Sequence, residues 1–91
     1  MISEQLLIQE KQLRFNLVNA NLQYQSQKES IEVAKRVYTS TENKYNQGMA
    51  SSLDLTQSNS LYLQAENNYV SALMNLLQTK LELDKLLNNM N

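Results

Sequence analysis

The stretch Tyr45-Asn46-Gln47-Gly48-Met49-Ala50-Ser51-Ser52-Leu53-Asp54-Leu55 decides the fold. It holds the only glycine of the 91-residue chain and separates two long segments that contain no helix breaker. Glycine is the usual residue of left-handed helix C-caps, and the polar Ser51 and Ser52 beyond it can cap the start of a new helix. So short a turn makes the arms antiparallel neighbours. The sequence therefore predicts an all-α fold, a long antiparallel two-helix coiled-coil hairpin with its turn near Gly48. The expected organisation is a single hairpin over 1–91, with arm one at about 3–46, the tip at about 47–51 and arm two at about 52–89.

Composition supports this reading. The chain has no proline and no cysteine, which leaves little material for hairpin turns, sheet or a disulfide framework. Missing cysteines do not fix the compartment, since a helical chain needs no staple in the periplasm or the cytoplasm. Eight basic and nine acidic residues are scattered along both arms, so no basic face exists to neutralise phosphates or anionic lipid. Nucleic acid is not an expected partner. No apolar run approaches the roughly 18 residues that a membrane span needs, and no signal peptide is visible, so this segment is expected to make no membrane contact.

Histidine is also absent, which removes the commonest general base and metal ligand. Glu29 and Glu32 read as solvated helix surface. Glu42 and Asp54 are the acids nearest the tip, but nothing supplies a nucleophile, an oxyanion site or a pocket beside them. No enzymatic activity, catalytic residue, cofactor or metal site is expected.

A heptad seam runs along arm one as Leu6, Glu10, Leu13, Leu17, Ala20, Tyr24, Gln27, Ile31, Ala34, Tyr38, Thr41 and Tyr45. Arm two repeats the spacing as Leu55, Ser58, Tyr62, Ala65, Tyr69, Ala72, Leu76, Thr79, Leu83, Leu86 and Met90. Large and small residues alternate, so the arms can interdigitate. Folding at Gly48 sets Tyr45 near Leu55, Tyr38 near Tyr62, Ile31 near Tyr69, Tyr24 near Leu76 and Leu17 near Leu83, to within about half a heptad. The tyrosines are expected to be seam residues whose hydroxyls reach water at the edge.

A hairpin of two roughly 40-residue arms would be about 60 Å long and only two helices thick. Apolar residues lie off both seams: Phe15, Val18, Leu22, Val33 and Val37 on arm one, and Leu63, Val70, Leu73, Leu77 and Leu87 on arm two. Each large side chain left in water forgoes roughly 1.5–3 kcal/mol of burial, so assembly with further helices is expected. By itself the chain should be marginally stable and able to pair with copies of itself.

With these residues in view, the tip and the following helix resemble the TolC-like outer-membrane efflux proteins. The resemblance rests on Lys44-Tyr45-Asn46-Gln47-Gly48, then Ser51-Ser52-Leu53-Asp54-Leu55, then Leu61, Ala65, Tyr69, Ala72 and Leu76, with a similar ending in Leu81-Glu82-Leu83-Asp84-Lys85-Leu86-Leu87. It implies a periplasmic α-helical hairpin of a homotrimeric exit duct, most like the second repeat of a longer channel protein, and so a fragment beginning at an added Met1. In that family the hairpin tips form the aperture and meet a periplasmic adaptor, which joins the duct to an inner-membrane pump. By resemblance, Gly48, Met49, Ala50, Ser51, Ser52, Leu53 and Leu55 are the adaptor-contact residues. Tyr45 resembles an aperture-gating tyrosine, and Asp54 an acid whose three copies would ring the constriction. An alternative for Asp54 is an ordinary first-turn acid favoured by the helix dipole.

The chain departs from the best-known members in carrying Ala50 where they have an arginine and Gln57 where they have a second aspartate. Their gating ion pair and double acidic ring therefore do not carry over, and a gate closed by hydrogen bonds of Tyr45 and Gln57 takes their place as an expectation. The alternative function is a generic coiled-coil scaffold or adaptor-type hairpin that presents a helical tip for protein assembly.

Overall fold

The computed structural model describes residues 4–89, in two helices joined by a five-residue turn. Helix α1 spans Glu4–Asn46 and α2 spans Ser52–Asn89. The pair forms a rod 70 × 15 × 14 Å. The expected antiparallel hairpin is what the chain forms. Met90, the last expected seam residue, lies outside the described residues.

The seam follows the heptad spacing. Every seam residue of α1 from Leu6 to Thr41, and every one of α2 from Leu55 to Leu86, is at least partly buried, while most positions between them are exposed. Two helices cannot enclose a core, so among the described residues only Ala20 at 2% exposure and Leu83 at 5% are buried apolar residues. Ser58 and Thr79 are the buried polar ones. Their hydroxyls bond to carbonyls of their own helix, Ser58 Oγ to Leu55 O at 3.0 Å and Thr79 Oγ1 to Asn75 O at 2.8 Å. Each hydroxyl is thus satisfied without a partner from the other arm.

The ring contacts refine the register. Tyr38 meets Tyr62, as expected, with ring centroids 5.8 Å apart. Tyr69, however, meets Tyr24 at 5.5 Å, a full heptad from the expected Ile31. One contact keeps the expected pairing and the other slips by a heptad, so the backbone register lies between them. In that register the small seam residues Ala34, Ser58, Ala65 and Ala72 fall opposite Tyr62, Tyr38, Ile31 and Tyr24. Large residues closing over small ones explain why the deepest positions of a two-helix rod are an alanine, a serine and a threonine alongside Leu83.

Tyr45 departs from the expected seam. It is 43% exposed, because α1 ends one residue later and α2 begins only at Ser52. The seam of α1 closes at Thr41. Near the other end, the charged seam residue Glu10 turns to Arg14, with Oε1 to Nη2 at 2.8 Å.

Candidate functional site

The tip is built by the backbone of two helix caps. Gly48 has φ +75°, the left-handed conformation that glycine adopts without the Cβ penalty. Its N–H donates to Tyr45 O at 3.0 Å, and the N–H of Met49 donates to Lys44 O at 2.7 Å. These two bonds form the Schellman closure that satisfies the last carbonyls of α1. Two residues later, Ser51 caps α2. Its Oγ accepts the N–H of Asp54 at 3.1 Å, and Asp54 Oδ2 accepts the N–H of Ser51 at 3.1 Å. This is a reciprocal capping box in which aspartate stands where glutamate or glutamine is usual. Of the two serines that could cap, Ser51 does so, and Ser52 is the first residue of the helix.

The caps sort the candidate tip residues. Gly48, Ser51 and Asp54 hold the turn through their backbone and side-chain bonds. Met49, at 72% exposure, and Leu53, at 62%, project apolar surface into solvent at the end of the rod. Ser52 is exposed, whereas Ala50 and Leu55 are partly buried. Tyr45 stands exposed on the last turn of α1.

A groove that sequence reading did not identify runs from the tip along one flank. Its end nearest the turn is lined by Thr41, Lys44, Met49, Ala50, Asp54 and Gln57, with a volume of about 400 Å³. Beyond this, Val33, Ala34, Val37 and Leu61 give it an apolar floor over about 530 Å³. Farther from the tip the same flank becomes amide-rich, with Gln23, Asn68 and Asn75, then Asn16, Asn19 and Gln78. Val33 and Val37 are legible in the sequence as an apolar pair one turn apart, but Leu61 joins them only once the register of the arms is known. Gln57 lines the groove and Tyr45 does not.

No group of three or more acidic, histidine or cysteine residues able to hold a metal occurs among the described residues. Nor is any helix there long and apolar enough to cross a membrane. The described residues form a helical hairpin with a self-capped tip and an asymmetric flank. A model of the outer membrane efflux protein family matches residues 5–89, nearly the whole chain, and the chain belongs to that family. Its members are transport proteins of the outer membrane. Searches of curated proteins and of solved structures find no match.

Proposed function

We propose that this hairpin is the periplasmic, aperture-end segment of a trimeric efflux duct in the outer membrane, and that its tip docks a periplasmic adaptor protein linked to an inner-membrane pump. The hairpin acts as passive conduit wall and performs no chemistry. The observation that carries the reading is the tip itself: Met49 and Leu53 are held out from the end of a 70 Å rod by caps that need no outside partner. Family membership over residues 5–89 supports the duct role. Apolar stripes on the outer faces of both helices suit a wall in which each hairpin has neighbours on two sides.

Within that reading, Tyr45 and Asp54 are the aperture residues. Asp54 serves as cap and acid at once, since the Oδ2 that accepts the Ser51 N–H keeps its carboxylate pinned at the start of α2. Three pinned carboxylates around an opening would favour cations.

The test is binding of this chain to the isolated hairpin of an adaptor from the same organism, measured by titration calorimetry or interferometry. Gly48→Trp, Met49→Asp and Leu53→Asp should each weaken binding at least tenfold, while a variant at the far end such as Gln9→Ala should not. Equal affinity for all four variants would remove the tip from the interface. In the parent channel, Tyr45→Phe with unchanged conductance would remove Tyr45 from the gate.

A further inference from the structure

The chain has four methionines, of which Met49 and Met74 lie among the described residues. The two stand in different places. Met74 belongs to the outer face of α2, which neighbouring hairpins would cover in a duct wall. Met49 stands at the open end of the rod and, at 72% exposure, is the most exposed large apolar side chain of the described residues.

The reason lies in the cap. In a Schellman closure the residue after the left-handed glycine usually packs an apolar side chain against the last turn of the helix. Here the facing positions are Lys44 and Asn43, so the cap offers Met49 no apolar partner. The turn uses only its backbone, through the N–H that donates to Lys44 O at 2.7 Å. The thioether takes no part in the closure, and a change in its chemistry leaves both caps intact.

A solvated thioether is a target for two-electron oxidants such as hydrogen peroxide. The sulfur lone pair attacks one peroxide oxygen, and the S–O bond forms as the O–O bond breaks. The attacked oxygen gives up its proton and the departing oxygen gains one, so sulfur is oxidised to the sulfoxide and peroxide is reduced to water. An apolar, polarisable side chain becomes a polar one. The new oxygen accepts hydrogen bonds, and the donors Thr41, Lys44 and Gln57 line the same end of the groove as Met49. Burying such a group against an apolar partner surface costs its desolvation.

We propose that Met49 is a reversible oxidation site whose sulfoxide turns off docking at the tip. The proposal rests on the docking reading given above, in which Met49 and Leu53 supply the apolar contacts. Free tips are open to oxidant and docked tips are shielded, so the modification blocks new assembly and spares complexes already formed. A thiol-dependent sulfoxide reductase restores the thioether.

The test treats the chain with hydrogen peroxide, locates the added oxygen by peptide mass spectrometry and titrates the product against the adaptor hairpin. Saturating adaptor hairpin should slow oxidation of Met49 and leave that of Met74 unchanged. The oxidised chain should bind about tenfold more weakly, with its helix content by circular dichroism unaltered, and reductase with thiol should restore the affinity. Met49→Leu keeps the other three methionines and should bind near the original affinity with or without peroxide. Met49→Gln should bind like the oxidised chain without any oxidant. Undiminished affinity after complete oxidation of Met49, an equal loss on oxidising Met49→Leu, or a Met49 that stays a thioether while Met74 is oxidised overturns the switch and leaves docking in place. If Met49→Asp and the unoxidised chain bind alike, or neither binds, the docking reading fails and the switch with it.

Discussion

The hydroxyls of Tyr24 and Tyr69 lie 3.2 Å apart across the seam, joining residues 45 apart in sequence. The bond needs a proton between the two oxygens, and it pushes the Tyr69 phenol above its ordinary value near 10, with burial adding a smaller push. Tyr38 is raised too, first by its hydrogen bond to Glu42 and then by the charge of that carboxylate. A phenol whose folded pKa exceeds its unfolded one contributes full stability below the unfolded value and loses it as pH rises through the folded value. Thermal midpoints should therefore be level from pH 7 to about 9 and fall above about 10. Tyr69→Phe cannot ionise at this position and should flatten the alkaline fall. A midpoint that falls as steeply in Tyr69→Phe would show that the tyrosine pair does not govern it.

At the tip, a Cβ added to Gly48 would meet nothing within 4 Å, so Gly48→Ala tests backbone conformation alone. The expected loss is about 1–2 kcal/mol, the cost of holding an L-residue in the left-handed region. Ser51→Ala removes the acceptor for the Asp54 N–H and should cost roughly 0.5–2 kcal/mol. Urea denaturation measures both. A loss well above these values for Gly48→Ala would mean that the turn rearranges.

In the seam, Ala20 is buried between the arms at 2% exposure. Ala20→Leu should force the arms apart and cost about 1–3 kcal/mol by overpacking. Ser58→Ala, by contrast, removes a hydroxyl bonded only within its own helix and should stay within about 0.5 kcal/mol of the original. Thermal melts of the two variants should diverge clearly; a neutral Ala20→Leu would show that the arms repack without strain.

The seam was legible because burial between two helices imposes the same spacing in sequence and in space, and each residue from Leu6 to Thr41 obeys it. Gly48 was legible because its conformation is local. Register was harder to read, since heptads repeat and Tyr69 satisfies the pattern equally well against Ile31 or Tyr24. Tyr45 continued the pattern yet lies beyond the last turn that faces α2, a limit set by where the partner helix begins. The flank groove escaped for a related reason, because Val37 and Leu61 become neighbours only after the register is set. Asp54 had two readings; its bond with Ser51 establishes the capping role, and the aperture role is a proposal that the cap does not exclude.

The hairpin also has an order of assembly written into its shape. Contacts near Gly48 close short loops, and each layer farther along joins residues more distant in sequence, from the Tyr38–Tyr62 ring pair to the Tyr24–Tyr69 pair. Once the tip has formed, every later layer adds to a closed end and pays little new loop entropy, so the chain should fold as a zipper from the turn outward. Amide hydrogen exchange should then be slowest beside Tyr38 and Tyr62 and quicken toward Leu6 and Leu87, with the layers farthest from the turn opening first.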